Sequence, residues 1–283
     1  MVIAMDNRSI SIGVRAIFYA IMFVFAFLAI YPLLWLVIQS FKTNQDYMTT
    51  SKLSFPTNWF TGNFTFVWNR SGFQTYFVNS VIYTVITVCA VVILSNMAGF
   101  AFAKIPFRVT NFLHGLFIIG ILLTIQSILI PLFLAINAVG LFNTRLGVLI
   151  PYVGLGLPMG IYLCTDFIKN IPDELVEAAR IDGAGYMRIF ARVILPMSAP
   201  VSVTLAIITF TATWNEFILM NLLTSSDRLK AIPTGVSRFI GSLGADYGKL
   251  FAALVLALIP IVVFYLIFRN QITKGVAAGA VKG

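Results

Sequence analysis

The sequence predicts an all-α polytopic membrane protein with six transmembrane helices. Two observations predict this fold class. The chain of 283 residues is 59% hydrophobic and contains 26 phenylalanines, which is more apolar side chain than a soluble core of this size can bury. The apolar residues also form long runs, and about 20 apolar residues in a helix cross a bilayer. We therefore expect one transmembrane domain over residues 1–283.

Six apolar runs define the expected spans, which cover residues 14–40, 79–103, 113–136, 146–168, 198–221 and 250–268. The first run is too long for the apolar core of a signal peptide, and no small-residue cleavage site follows it, so we interpret it as an uncleaved span. Prolines within several spans are expected to kink their helices, because each removes one backbone hydrogen bond.

The net charge of +9 is distributed at the ends of the spans and forms no continuous basic stripe, which favours membrane-surface anchors over nucleic-acid binding. Basic residues concentrate on the cytoplasmic side of membrane proteins. Placing both termini in the cytoplasm puts Arg8, Arg15, Lys104, Arg108 and Lys169 on that side. The sequence therefore predicts this orientation in the lipid bilayer.

The connecting segments differ in length and composition. Residues 41–78 are polar and aromatic and are expected to lie on the outer membrane surface. Residues 104–111 and 137–145 form short turns, and residues 224–249 form a longer outer loop that is expected to contain short helical pieces. The 169–197 loop is the most highly charged connection.

Known catalytic and cofactor motifs are absent from the sequence. Cys89 and Cys164 fall inside expected spans, where they are apolar packing residues rather than a disulfide. His114 is the single histidine, so no metal site is expected. The chain also lacks a phosphate-binding G-x-x-x-x-G-K-[ST] loop and the G-x-S-x-G and H-E-x-x-H motifs. We expect neither catalysis nor ATP binding by this chain.

The fifth expected span is the most polar. Its polar residues form two stripes on nearly opposite sides of a helix, Thr204, Thr211 and Asn215 on one and Thr209, Thr213 and Glu216 on the other. Polar side chains at membrane depth need water or partners, so we predict a pathway role for Trp214, Asn215 and Glu216, and with weaker support for Gln126. The alternative is that interfacial water solvates Glu216 near the end of the span.

The 169–197 loop begins with a helix pattern. Pro172, Asp173 and Glu174 suit the first turn of a helix, and Gly183 and Gly185 suit its end. One expected helix face consists mainly of small residues, namely Leu175, Ala178, Ala179 and Asp182. This face favours close docking of a partner, with Glu177 and Arg180 at the rim. An ordinary loop lying on the membrane is the alternative.

The stretch "EAARIDGAGYMRIFARVILP" resembles the EAA loop of ABC importer permeases. The matching residues are Glu177, Ala178, Ala179, Gly183, Leu195 and Pro196, while Val193 replaces an isoleucine. "NSV" at residues 79–81, "AGFAFAK" at 98–104, "GLFNT" at 140–144, "WNEF" at 214–217 and the terminal "AVKG" extend the resemblance over nearly the whole chain. Together they resemble the second permease subunit of maltose-type importers.

The resemblance implies partners in a bacterial cytoplasmic membrane: a second permease subunit, two ATP-binding subunits and an extracytoplasmic solute-binding protein. ATP and Mg²⁺ would be bound by the ATPases, with no cofactor in this chain. A coupling helix in the 169–197 loop would dock on an ATPase through Glu177, Ala178, Ala179, Arg180, Asp182 and Gly183. The tail at residues 273–283 would reach between the two ATPases.

The substrate implied by the resemblance is a sugar or oligosaccharide. An anionic solute, such as a uronate oligosaccharide or a glycerol phosphate, is the alternative, although no intramembrane Arg or Lys pair supports it. An ion-coupled secondary transporter would usually need several intramembrane acids, and Glu216 alone qualifies. An intramembrane enzyme would need a catalytic constellation that the sequence lacks.

Overall fold

The chain folds almost entirely into helices, as a computed structural model shows for the backbone of residues 12–241 and 244–280 and the side chains of residues 13–240 and 246–271. The prediction of an all-α polytopic membrane protein is confirmed. Arg8 and the side chains of the tail at residues 273–283 lie outside the described residues.

Within the described backbone, five helices exceed 15 residues: α1 (Ile12–Gln39), α4 (Phe73–Lys104), α7 (Arg145–Lys169), α11 (Ala199–Trp214) and α14 (Tyr247–Ala280). The shorter α-helices are α2 (Asn44–Thr49), α3 (Gly62–Arg70), α5 (Thr110–Ile121), α6 (Ile125–Ala138), α8 (Asp173–Ile181), α9 (Tyr186–Ile189), α10 (Leu195–Met197), α12 (Ile218–Leu223) and α13 (Ile232–Val236). A π-helical turn (Phe190–Ile194) joins α9 to α10, and a 3₁₀ turn (Ser237–Phe239) follows α13. Strands β1 (Ile240–Gly241) and β2 (Gly244–Ala245) form an antiparallel pair.

Four of the described helices are long and apolar enough to cross a membrane, or up to six if each of two bent helix pairs is counted as one span. The expected spans are therefore close to the helices but not identical to them. Helix α4 begins at Phe73 rather than at residue 79, and α14 continues to Ala280 rather than ending at residue 268. Residues 41–78, which we expected to be a loop, contain α2 and α3.

The chain divides into two compact units. The first contains α1, α2, α3 and Phe239–Leu256, and the most apolar stretch of α1 is 0% buried. Its polar centre is the buried side chain of Asn63, whose amide donates to the carbonyl oxygens of Ser40 at 2.9 Å and Lys42 at 2.8 Å. These bonds tie α3 to the chain that follows α1.

The second unit contains Gly72–Arg238 and the chain from Ala257 onward. Helix α4 packs along α7 and α11, and one hydrophobic cluster extends from these helices into the 169–197 loop. The members of this cluster are Val91, Phe100, Cys164, Ile168, Ile171, Val176, Ile189, Phe190, Ile194, Val201 and Leu205. The loop is therefore built on the same core as the membrane helices.

Close approach of α4 and α7 depends on glycines. A Cβ at Gly99 would lie 2.9 Å from Cys164 Cβ and 3.0 Å from the Cys164 carbonyl carbon. At Gly160 a Cβ would collide with the Ser95 hydroxyl. Small residues at helix contacts in a membrane let backbones approach and gain dispersion energy, because lipid provides no hydrophobic drive between helices.

The third expected span, residues 113–136, is formed by two helices rather than by one proline-kinked helix. Helices α5 and α6 meet at a bend of 107°. The bend is not at a proline, since Pro131 lies inside α6. Instead, Thr124 has extended backbone angles (φ −78°, ψ 145°), and its hydroxyl lies 2.8 Å from that of Ser127.

The fifth expected span is also interrupted. Helix α11 ends at Trp214, and α12 begins at Ile218, so Asn215 and Glu216 lie in the break. The Glu216 carboxylate accepts hydrogen bonds from the backbone N–H groups of Leu219 at 2.7 Å and Met220 at 3.0 Å. A carboxylate that satisfies N–H groups at a helix start favours a new helix there, which a 3.6-residue pattern does not reveal.

Replacing Gly99 with alanine should destabilise the protein by ~1–3 kcal/mol, because the new methyl group meets the α7 backbone and overpacks the contact. Replacing Gly154 of α7 with alanine should be neutral or slightly stabilising through the helix propensity of alanine, because nothing lies within 4 Å of the Gly154 Cβ position. Thermal unfolding of both variants in detergent measures the difference. Equal melting temperatures would contradict the close contact.

Candidate functional site

Helix α8 of the 169–197 loop buries one side. Val176 is 6% exposed, and Ala179 is partly buried against the hydrophobic cluster that includes Ile168 and Ile189. Ala178 and Leu175 lie on the surface. The expected small-residue face is therefore divided, since Ala179 contacts the chain's own core and Ala178 is exposed.

The end of α8 has the hydrogen bonds of a Schellman motif. The N–H of Gly183 donates to Arg180 O, and the N–H of Ala184 donates to Ala179 O, both at 2.9 Å. Gly183 has φ +76°, a conformation that L-residues with side chains adopt only with strain. The helix end that the sequence predicts at Gly183 is confirmed. Gly185 is different, because its φ of −72° is open to any residue.

The charged residues of α8 have unequal surroundings. The Arg180 guanidinium donates to the Tyr186 hydroxyl and lies 4.8 Å from the centre of the Tyr186 ring. This contact joins α8 to α9 across the Gly183 turn. Glu177 and Asp182 are exposed on the surface of the loop. Both carboxylates are therefore accessible to a partner, whereas Arg180 is engaged within the loop.

Exposed apolar side chains lie around the Gly183 turn, and of these the sequence pattern had pointed only to Leu175. Ile181 is 87% exposed and Met187 is 66% exposed, with Leu175 and Tyr186 partly exposed beside them. The helix stop at Gly183 could have predicted this exposure, because a side chain in the last turn of a helix has no following turn to cover it. An exposed apolar patch rimmed by polar residues is typical of a protein interaction site.

An open cleft of about 700 Å³ lies between α8 and the turn after α4. Its floor contains Lys104, whose side chain is only 4% exposed. The Lys104 ammonium donates to the Ile171 carbonyl oxygen at 2.5 Å and to Asp173 Oδ1 at 2.6 Å. Arg108 and Glu177 line the same cleft. Lys104 thus connects the end of α4 to the start of α8, in addition to its expected position beside the membrane.

A second cavity, of about 270 Å³, lies between α7 and α11 and is largely apolar. The expected polar stripe of Thr209, Thr213 and Glu216 lines it. The Tyr152 hydroxyl donates to Glu216 Oε2 at 2.7 Å, and this bond adds to the two backbone N–H groups that the carboxylate accepts. Glu216 therefore has partners rather than facing lipid.

The other expected pathway residues do not join Glu216 in this cavity. Asn215 is exposed and donates to Thr211 O at 2.9 Å, and Gln126 is exposed in the first turn of α6. Trp214 is 4% exposed and packs against Phe210, with a ring-centre separation of 5.7 Å. The Trp214 indole is therefore a packing group behind the break in α11.

A set of side-chain hydrogen bonds, which we call the clasp, holds residues 223–238 against α4 and the start of α7. The Asn79 amide donates to Arg228 O at 2.8 Å and to Lys230 O at 2.9 Å, and its oxygen accepts from Arg145 Nη2 at 3.0 Å. Further side chains that bond this segment are Tyr76, Ser80, Tyr83 and Asn143. The "NSV" and "GLFNT" stretches therefore share one role, which is to anchor this segment.

The clasp ends at Arg238. Burial acts to lower the pKa of Arg238, but hydrogen bonds and charge attraction from Asp227 and Tyr76 outweigh it and raise the pKa. The guanidinium donates to the Asp227 carboxylate and, at 2.6 Å, to the Tyr76 hydroxyl. Arg238 therefore stays positively charged and holds both of its partners.

Within the described side chains, no group of three His, Cys, Asp or Glu residues could hold a metal ion.

The chain is similar to known transport proteins along most of its length. Residues 92–277 match the family described as "binding-protein-dependent transport system inner membrane component". The trehalose transport system permease protein of Mycobacterium tuberculosis is 34% identical, covering 90% of this chain and 93% of the relative. The diacetylchitobiose uptake system permease protein of Streptomyces coelicolor is 31% identical, covering 93% of this chain and 88% of the relative.

A solved structure has the same fold. It is a chain from the crystal structure of a bacterial ABC transporter involved in the import of the acidic polysaccharide alginate, with a TM-score of 0.82 and 21% identity. The match covers 92% of this chain and 98% of that chain. The fold described above is therefore shared with that chain over nearly its whole length.

Replacing Asn79 with leucine should destabilise the clasp, because two backbone carbonyl groups and the Arg145 guanidinium lose their partner. Each buried polar group left without a partner costs about 1–3 kcal/mol. Asn221→Leu is the matched control, since Asn221 is exposed. Proteolysis of residues 224–238 in detergent should become faster for Asn79→Leu alone. Unchanged cleavage would show that the segment is held without Asn79.

Proposed function

This chain belongs to the family of binding-protein-dependent transport system inner membrane components, and we propose that it is the second permease subunit of an ATP-driven importer of sugars or oligosaccharides. It is a multi-pass protein of the inner membrane, and both termini lie in the cytoplasm in this proposal. The 169–197 loop then faces the cytoplasm, and residues 224–238 face the outside. The second permease subunit, two ATPases and an outer solute-binding protein complete the transporter.

The observation that supports ATPase docking best is the construction of the 169–197 loop. Val176 attaches α8 to the core of the membrane helices, while Ile181 and Met187 present apolar surface away from it. A helix that is fixed on one side and apolar on the other can transmit force from a docked partner. In this proposal Glu177, Ala178, Arg180, Asp182 and Gly183 belong to the docking surface, and Ala179 packs beneath them against the core.

The chemistry of ATP hydrolysis belongs to the partner subunits, which would bind ATP and Mg²⁺. Closure of the ATPases would move the 169–197 loop of this chain and the corresponding loop of the second permease. The two permeases would then move as nearly rigid bodies and open a central pathway to alternate sides of the membrane. The tail at residues 273–283 would contact the ATPase pair. The role of this chain is then to bind its partners and to form part of the pathway.

A neutral sugar is the substrate that the membrane cavity supports. Glu216 is the charged residue among those lining it, and a carboxylate repels an anionic solute. Trehalose and diacetylchitobiose are the substrates named for two relatives, and both are neutral sugars. Gln126, Asn215 and Glu216 would supply hydrogen bonds along the pathway, with Trp214 packing behind them.

The complete transporter, co-expressed with its partner subunits and reconstituted in liposomes, tests this function. Purification through this chain should recover an ATPase and a second permease. Uptake of a sugar into the liposomes should require ATP on the side of the membrane that carries the ATPases and the solute-binding protein on the opposite side. Uptake by the isolated chain under a proton gradient would overturn the proposal in favour of an ion-coupled transporter.

Replacing Ile181 with lysine should detach the ATPase or abolish its stimulation by the loaded binding protein, because a charge then occupies an apolar contact. Insertion and pairing with the second permease should survive, since Ile181 is 87% exposed. Co-purification of the ATPase and stimulated hydrolysis are the measurements. Full activity of Ile181→Lys would exclude this surface from docking.

Gly183→Val tests the same loop through its backbone. A residue with a side chain at φ +76° costs about 1–3 kcal/mol, so the Schellman turn should shift and ATPase stimulation should fall. Gly185→Val is the matched control, because the φ of Gly185 is −72° and no atom lies within 4 Å of its Cβ position. Equal loss in both variants would indicate a general effect of bulk rather than of the turn.

Cysteine placed at position 126 or 215 should react with a polar thiol reagent in at least one state of the transport cycle, because both side chains are exposed in this chain. The background should lack Cys89, which is exposed, whereas Cys164 is buried. Labelling is compared between nucleotide-free and ATP-trapped transporter. Inertness of both positions in both states would remove them from the pathway.

A further inference from the structure

A polar contact links Lys104, at the end of α4, to the start of α8. The ammonium lies at the last residue of α4 and bonds two groups, the Ile171 carbonyl oxygen and the Asp173 carboxylate. Those two groups stand on either side of Pro172, which precedes the first turn of α8. The Lys104 side chain therefore holds the start of α8 against the end of α4.

Both helix ends favour this pair electrostatically. A cation at the C-terminus of α4 and an anion in the first turn of α8 each complement the dipole of their own helix. Burial adds to the constraint, because an ammonium that is removed from water is costly unless it has partners. The Lys104 side chain is only 4% exposed, so its two bonds replace most of the hydration that the ammonium would otherwise have.

Apolar packing completes the attachment. Val176, one turn after Asp173, is buried in the cluster that contains Phe100 of α4 and Ile168 of α7. Helix α8 is thus attached at two points, to the end of α4 by the polar contact at its start and to the shared core by Val176 in its middle. Two separated attachments restrict rotation of α8 about either one, so α8 is held in a defined position relative to the core and the end of α4.

We propose that Lys104 is a positioning residue that makes α8 move together with α4, so that displacement of α8 by the docked ATPase becomes displacement of a membrane helix. This inference rests on the proposed function, because it requires that α8 be the ATPase contact. Lys104 itself touches neither substrate nor nucleotide in this mechanism. Its loss should leave the assembly intact and make coupling less efficient.

The test uses the complete transporter in liposomes with Lys104→Met, which keeps the length and apolar character of the stem and removes the charge. Stimulation of ATP hydrolysis by the loaded binding protein should fall between about two- and thirty-fold, the range for loss of coupling between sites. Basal hydrolysis and recovery of the ATPase should stay unchanged. Lys104→Arg should restore stimulation, because a guanidinium can donate to both acceptors.

Two further variants keep the result interpretable. Lys169→Met removes an equal charge from an exposed lysine at the end of α7 and should have no effect. Asp173→Asn alters an exposed partner, whose side chain is 75% exposed, and should reduce stimulation in the same direction but less. Asp173→Asn therefore still tests the proposal if Lys104→Met fails to insert.

A distance measurement separates positioning from general stability. Spin labels at positions 97 on α4 and 174 on α8, both exposed, are placed in a Cys89→Ala background. In the otherwise unchanged transporter, the distance distribution should be narrow and equal in nucleotide-free and ATP-trapped states. Lys104→Met should broaden it or make it differ between the states.

The outcomes distinguish failure of the proposed function from failure of the inference about Lys104. Failure of the unaltered transporter to retain any ATPase would overturn the proposed function and the inference with it. Normal stimulation with a narrow, unchanged distance in Lys104→Met would overturn the inference alone. Equal losses in Lys104→Met and Lys169→Met would also overturn it, because surface charge rather than the bond to α8 would then be responsible.

Discussion

The contact between α4 and α7 is the constraint on which the second unit depends. Within a bilayer, helices gain nothing from leaving water together, so their association depends on close packing and on internal polar bonds. Gly99 and Gly160 allow the two backbones to approach, and Cys164 and Ser95 fill the space opposite them. Because this contact fixes α4 along its length, whatever is attached to either end of α4 is held relative to the same rigid element.

Polar side chains at the ends of helices perform the attachment. Asn79 and its neighbours hold residues 223–238 near the beginning of α4, and Lys104 holds α8 at its end. Glu216 does the same at the break in α11, where it satisfies the first N–H groups of α12. In each case a buried polar group that would be costly alone is satisfied by backbone groups that also need partners.

Attachment of two segments to opposite ends of one helix suits a transport subunit. The segment that we place outside the membrane and the loop that we place in the cytoplasm are both fixed to one helix of 32 residues, which is about 48 Å long at 1.5 Å per residue. A change at one face then reaches the other without a chain of small side-chain movements. The apolar surface around Ile181 remains available for a partner because α8 uses its other side, at Val176, for attachment.

The sequence by itself determined the fold class, the approximate apolar spans, the helix of the 169–197 loop and its stop at Gly183, because these follow from local composition and periodicity. Only the tertiary structure decided that Ala179 faces the chain's own core, that Tyr152 bonds Glu216 and that Lys104 bonds α8. Those features depend on partners distant in sequence, such as Asp173 for Lys104 and Tyr152 for Glu216, and a local pattern contains no information about which distant groups will meet.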